Sequence, residues 1–249
     1  MIILKSEHEI EKMRAACRTV ALILDEMARL SAPGITTGEI NKFAEKRCKE
    51  LKVVPAFKGY NSFPACVCIS VNDEIIHGIP SHKRTLCNGD IVGLDFGVIQ
   101  DGWYGDAACT VGIGTISEGA RKLMEATNES LYKGISECRE GNHLLDIGYA
   151  IQNYVEGLGY SVVREFVGHG IGRALHEEPQ VPNVGVKGKG QKLKAGMVLA
   201  IEPMINAGNH KVKVLDDGWT AVTEDHSLSA HFEHTVAITP DGPEILTVR

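Results

Sequence analysis

The chain has 249 residues, 43% hydrophobic and 23% charged, which suits one large packed core and excludes a disordered or fibrous protein. Its net charge of −6 supplies no basic field, so generic DNA or RNA binding is disfavoured. The N-terminus MIILKSEHEIEKM turns charged early, and no apolar run approaches the roughly 20 residues that span a bilayer, so a cytoplasmic protein without membrane contact is expected.

Ser6 and Glu9 have the spacing of a capping box, and the periodic apolar residues from Ile10 to Leu30 predict a first helix stopped by Pro33-Gly34. Thr36 and Glu39 repeat the signal for a second helix ending near Leu51. Residues 65 to 114 are then rich in Val, Ile, Cys and aromatics, with Asn-Asp, Gly-Ile-Pro, Asn-Gly and Asp-Gly between them, which predicts antiparallel strands. The second half repeats this order: helices over about Glu118–Arg139 and His143–Leu158, then strand-like segments to the end. The seven cysteines, an odd number with no C-x-x-C pair, fit neither a disulfide framework nor a zinc ribbon and are expected as reduced core thiols. The one basic cluster, KGKGQKLK from Lys187 to Lys194, reads as a solvated loop.

A shift of 107 places Gly34 on Gly141, Glu39 on Asp146, Ile40 on Ile147, Leu51 on Leu158, Gly89 on Gly196 and Asp95 on Glu202. GDIVGLDFGV and GMVLAIEPMI then read as one strand in two copies. So long a period predicts two related halves, about 1–115 and 116–249, in a single catalytic domain, rather than a solenoid.

The strongest local signal is LDFGVIQDGWYGDA, in which Asp95 and Asp106 flank an Asp101-Gly102 turn. A hairpin centred between Gln100 and Asp101 makes the two aspartates cross-strand partners; one centred on Asp101-Gly102 makes them diagonal neighbours. Either register puts both carboxylates on one sheet face. Two such groups repel when partly buried, unless a cation lies between them. The plain alternative, two solvent-facing hairpin residues, loses ground because Glu202 stands in the apolar strand LAIEPM at the repeat position of Asp95, and Glu233 enters another in SAHFEHTVAI. His169 in VGHGIG is flanked by glycines that let backbone approach closely and aim the imidazole into a cleft. Four carboxylates and one imidazole suit two divalent ions, and oxygen-rich ligation with one nitrogen favours Mn, Fe, Co or Zn. Paired metals of this kind are a recurrent hydrolytic device that supplies hydroxide near neutral pH. Glu202 is then the ligand best placed to move the proton to the leaving nitrogen.

The motifs NDEIIHGIP, DIVGLDFGVIQDGWYGDAA, VGHGIGRALHEEP, LAIEPM and SAHFEHTVAI resemble those of the type I methionine aminopeptidases over essentially the whole chain. The resemblance implies the α+β pita-bread fold, with two pseudo-twofold-related halves whose helices cover a curved, mainly antiparallel sheet. It implies metal ligation by Asp95, Asp106, His169, Glu202 and Glu233, with His77 positioning or protonating the scissile amide and His176 stabilising the oxyanion. It also implies a methionine pocket of Phe57, Tyr60, Phe63, Cys68, Leu175 and Trp219, with Phe57 and Leu175 as departures from the family pattern. A monovalent-cation site would involve Asn72, Glu74 and Ser229. The implied reaction is removal of N-terminal methionine from nascent chains and peptides with a small second residue. The enzyme would be a monomer in transient contact with the ribosome. Prolidases and X-Pro aminopeptidases share the fold but carry a further N-terminal domain, for which the segment before the first strands leaves no room. The 31 positions between Glu202 and Glu233 leave none for the type II insertion. A non-catalytic module on the same scaffold would be expected to have lost ligands, and all five are present.

Overall fold

The computed structural model describes residues 2–248. Its first helix, α1 (Glu7–Leu30), opens on the expected capping box: the Ser6 N–H donates to Glu9 Oε2 at 2.9 Å and Ser6 Oγ accepts from the Glu9 N–H. Ile10, Met13, Cys17, Val20, Leu24 and Met27 are buried at alternating spacings of three and four, a single apolar stripe. Each large side chain buried along it contributes about 1.5–3 kcal/mol. The stripe lies on the strands β4 (Ile91–Gln100) and β5 (Trp103–Gly112) described below. At Gly105 the approach is closest, because a methyl group there would stand 2.8 Å from the Cys17 nitrogen.

The helix α2 (Thr37–Leu51) repeats the capping box with Thr36 and Glu39. Then follow β1 (Val54–Pro55), a 3-10 turn at Tyr60–Ser62, β2 (Cys68–Val71), β3 (Glu74–Ile76), and the long hairpin of β4 and β5. The hairpin turns on Asp101-Gly102, both in the left-handed region at φ 52° and 75°, and pairs Gln100 with Trp103. That selects the diagonal register, in which Asp95 faces Ala108 and Gly97 faces Asp106.

The second half supplies α3 (Glu118–Ser136), α4 (Leu144–Gly157), β6 (Ser161–Val162), β7 (Gly168–Gly170), β8 (Glu177–Val181) and β9 (Val198–Ile201). It closes with β10 (Met204–Asn206), β11 (Val212–Val214), β12 (Ala221–Thr223), β13 (Ser229–His231), β14 (Glu233–Thr239) and β15 (Gly242–Ile245). The helix α3 stops at Ser136, short of the expected Arg139, where the Asn142 amide donates to the Glu137 carbonyl at 3.0 Å and draws the chain into a turn. One nine-stranded sheet runs β1-β4-β5-β14-β9-β7-β8, with β2 beside β4 and β15 beside β14, and its pairings are antiparallel. Two apolar clusters lie between sheet and helices: one under α1 and α2, built from residues such as Ile40, Leu94 and Phe96, the other under α3 and α4, with Leu123, Ile151 and Val236.

The repeat is visible in the hydrogen bonds. Gly34 N–H donates to Leu86 O at 2.9 Å, and 107 residues later Gly141 N–H donates to Leu193 O at 3.1 Å. Thr36 N–H to Glu39 Oε2 and His143 N–H to Asp146 Oδ2 are both 2.8 Å, and the bridges Thr36–Thr85 and His143–Lys192 occupy equivalent places. Those bonds revise the reading of the basic cluster. Its lysine side chains are exposed, but its backbone fastens the start of α4, with Leu144 N–H on Gln191 O and Gly188 N–H on Asp146 Oδ1. The seven cysteines are free thiols, five of them buried. No helix among the described residues is long and apolar enough to cross a membrane.

Candidate active site

Strand register builds the site before any side chain is considered. Cys68 pairs with Asp95, Asp95 with Ala108, and Ala108 with Glu233. The pairing of His234 with Ile201 carries this row one step on to Glu202, immediately after β9. A second row, two residues along, holds Gly97, Asp106, Thr235, Ala200 and His169. Because side chains two apart share a face, both rows point the same way. Small residues, Gly97, Ala108 and Ala200, leave the space above the sheet to the carboxylates and the imidazole.

Ligand atoms of Asp106, His169 and Glu233, all three buried, lie within 4.8 Å of one another, and Glu202 Oε1 is 3.5 Å from His169 Nε2. Burial pushes the Asp95 carboxyl up to about 7. Burial first, and then neighbouring carboxylates, push Asp106, Glu202 and Glu233 well above the usual carboxylate range. Asp95 Oδ1, Asp106 Oδ1 and Glu233 Oε1 are buried with no hydrogen-bond partner among the described residues. His169 is pushed down to about 3 by burial, then by His176. Its Nδ1 lies 2.9 Å from the Gly170 carbonyl, which can only accept, so the proton is on Nδ1 and the Nε2 lone pair faces Glu202. Unpartnered anionic oxygens around an imidazole lone pair are a donor set for a cation, and the fit to divalent metal is good.

The flanking glycines of His169 do what the sequence suggested. A methyl at Gly168 would stand 2.3 Å from Ala200 O, and one at Gly170 would stand 2.3 Å from Glu178 O.

Above the acidic floor lies a cavity of about 570 Å³. The five expected ligands, His77, His176, Phe57, Tyr60, Phe63, Cys68, Leu175 and Trp219 all line it. Its wall is aromatic: Phe63 meets Trp219 edge-on at 5.1 Å, and His77 meets Trp219 at 6.0 Å and Phe166 at 5.7 Å. His77 takes a left-handed backbone conformation, φ 59°, uncommon for a non-glycine residue. Burial, with His176 second, lowers its imidazole to about 4. His176 stands edge-on to His169 at 4.2 Å, and its Nδ1 is 2.6 Å from the Tyr60 hydroxyl.

Phe166 and Gln180 also line the cavity and were not singled out from sequence. Gln180 faces His169 across a strand pair whose register shifts at that point, so spacing alone does not disclose it. His231, 3% exposed with Nε2 unpartnered among the described residues, was likewise missed.

The residues of the expected monovalent-cation site are brought together elsewhere. Ser229 N–H donates to Asn72 O at 2.9 Å, Glu74 Oε2 accepts from the Val71 N–H at 2.8 Å, and Ser229 Oγ donates to Asn206 Oδ1.

Comparison with known proteins agrees with this geometry. The family model of metallopeptidase family M24 matches residues 11–240. The chain is 52% identical to the methionine aminopeptidase of Clostridium acetobutylicum, over 100% of this chain and 99% of that one. It is 51% identical to methionine aminopeptidase 1 of Bacillus subtilis, covering 99% of each. The crystal structure of methionine aminopeptidase from Rickettsia prowazekii superposes with a TM-score of 0.98 at 44% identity, covering all of both chains, so the fold is the pita-bread arrangement. From motif to strand register to overall likeness, the chain belongs to the methionine aminopeptidases of metallopeptidase family M24.

Proposed function

We propose that this metallopeptidase acts as one catalytic unit that removes the N-terminal methionine from peptides and nascent chains, preferring a small second residue. The observation that carries the reading is the union, in one cavity, of unpartnered buried carboxylates around the His169 Nε2 and an apolar wall of aromatic rings and a thiol.

Asp95, Asp106, His169, Glu202 and Glu233 would hold two divalent ions, drawn from Mn, Fe, Co or Zn. When bound, such ions supply Lewis-acid activation of water and of the scissile carbonyl. The other steps belong to the chain. Phe57, Tyr60, Phe63, Cys68, Leu175 and Trp219 take the thioether side chain by burial against aromatic faces and sulfur. Glu202, at the edge of the carboxylate row, accepts a proton and delivers it to the leaving nitrogen. His77, neutral near pH 7, orients the scissile amide from the aromatic wall. With the Tyr60 hydroxyl donating to Nδ1, His176 keeps its proton on Nε2 and aims it at the developing oxyanion. Asn72, Glu74 and Ser229 are proposed to support a monovalent cation through backbone oxygens. The enzyme is proposed to work in the cytoplasm as a monomer, touching the ribosome transiently.

The test is metal analysis joined to an assay. Chelator-stripped protein, reloaded with each metal in turn, is offered Met-Ala-X, Leu-Ala-X and Ala-Pro-X peptides. Restored cleavage of Met-Ala-X above the other two is expected; cleavage that survives stripping, or that prefers Ala-Pro-X, overturns the reading.

A further inference from the structure

The turn that carries His176 is fastened from the other end of the chain. Lys5 stands 172 positions before Glu177, yet its ammonium lies 2.6 Å from Glu177 Oε2, with the two side chains only 3% and 8% exposed. The second oxygen, Oε1, accepts from the backbone N–H groups of Arg173 at 2.7 Å and Ala174 at 3.2 Å. One carboxylate thus gathers the turn between Gly170 and Glu177, and Lys5 fixes the carboxylate. Lys5 is itself anchored, since its N–H donates to Gly196 O at 2.7 Å. Gly172 is shaped around the pair, because a methyl there would stand 2.6 Å from Lys5 Cε and 2.7 Å from Glu177 Oε1. Leu175, His176 and Glu177 itself line the substrate cavity, which Lys5 does not.

An ion pair buried so deeply gains little net stability over an apolar pair of the same volume. Its distinctive contribution is geometric: a carboxylate accepts from an ammonium and two backbone donors at once, in charge-assisted bonds that a neutral side chain cannot all match. Held at three points, Glu177 sets where the next residue back, His176, presents its ring.

We propose that Lys5 is a positioning residue for catalysis, acting through Glu177 to hold the 171–176 turn so that the His176 imidazole meets the scissile carbonyl. This rests on the oxyanion role given to His176 above.

Lys5→Met keeps the aliphatic stem and removes the charge. In the metal-loaded full chain it is expected to lower kcat on Met-Ala-X about tenfold with KM within about twofold, the signature of a contact that matters in the transition state. Introduced into a His176→Ala background it should produce no further loss of kcat, whereas a general weakening of the fold would lower kcat by the same factor in both. Hydrogen–deuterium exchange at the Arg173 and Ala174 amides should quicken in Lys5→Met. If that variant does not fold, Glu177→Gln, which retains an acceptor oxygen, carries the same cycle with the same expectation. A wild-type kcat in the single variant, or equal fractional losses in the two backgrounds, overturns the proposal. Wild-type protein inactive on Met-Ala-X overturns the functional reading instead; unchanged amide exchange would then overturn the clamp by itself.

Discussion

His169 and His176 are neighbouring imidazoles whose Nδ1 atoms meet different partners. The Gly170 carbonyl accepts from His169 Nδ1 and leaves a lone pair at Nε2, while the Tyr60 hydroxyl lies 2.6 Å from His176 Nδ1 and in the proposed reaction donates there, leaving Nε2 a donor. Removing that hydroxyl should therefore impair the reaction more than binding. Tyr60→Phe is expected to lower kcat about fivefold to tenfold with little change in KM, in steady-state assays on Met-Ala-X. A KM rise at constant kcat would instead assign Tyr60 to pocket packing alone. At this scale the motifs nominated five divalent-metal ligands, two histidines and six pocket residues that all line one cavity, while the three monovalent-cation residues Asn72, Glu74 and Ser229 lie outside it. Phe166 was illegible because a lone aromatic in a loop has no periodicity, and its place opposite the His77 ring exists only in three dimensions.

Helices and strands were legible where local chemistry fixes them. Ser6–Glu9 and Thr36–Glu39 announced two helix starts, and Asp101-Gly102 announced the central hairpin, though the two registers it allowed could be separated only by the observed pairing of Gln100 with Trp103. Contacts between elements were not legible. Gly105 reads in sequence as one more small residue of β5, yet it is where α1 rides over the sheet, its absent side chain replaced by the backbone of Ala16 and Cys17 at 2.8–3.0 Å. Gly105→Ala should accordingly destabilise the protein by about 1–3 kcal/mol, because the obstacle is backbone and cannot rotate aside. Denaturant unfolding of the two proteins measures this directly. A change under about 0.5 kcal/mol would show that α1 can lift away freely.

For the molecule as a whole, the acidic floor links metal, pH and stability. Carboxyls whose folded-state values are raised, Asp95 to about 7 and Asp106, Glu202 and Glu233 higher than ordinary carboxylates, bind protons more tightly folded than unfolded. Their contribution to stability is whole at low pH and lost as pH rises through those values. The buried histidines act in the opposite sense, with His77 lowered to about 4 and His169 and His231 to about 3, but only below the ordinary imidazole value of 6.5. Above pH 6.5 the carboxyls therefore dominate. Chelator-stripped protein should lose melting temperature as the pH rises through about 7, while protein reloaded with divalent metal should stay nearly level. A flat profile for the stripped protein would mean that the carboxylates already have another counter-charge. The two-halves reading was legible at this scale from a shift of 107 alone, and its hydrogen bonds recur at that interval; the rows that cross from one half to the other were not, since no spacing within a single strand shows which strand lies beside it. Those rows act as a ruler. Five side chains drawn from five separate stretches of chain are spaced by the hydrogen-bonding distance between strands, about 4.8 Å, and by the two-residue repeat along each. If these five side chains hold metal as proposed, such a gauge would tolerate exchange of one ion for another of similar radius. It does not tolerate a slip of any strand by one residue, which would turn that strand's ligand to the far side of the sheet and leave its place on the scale blank.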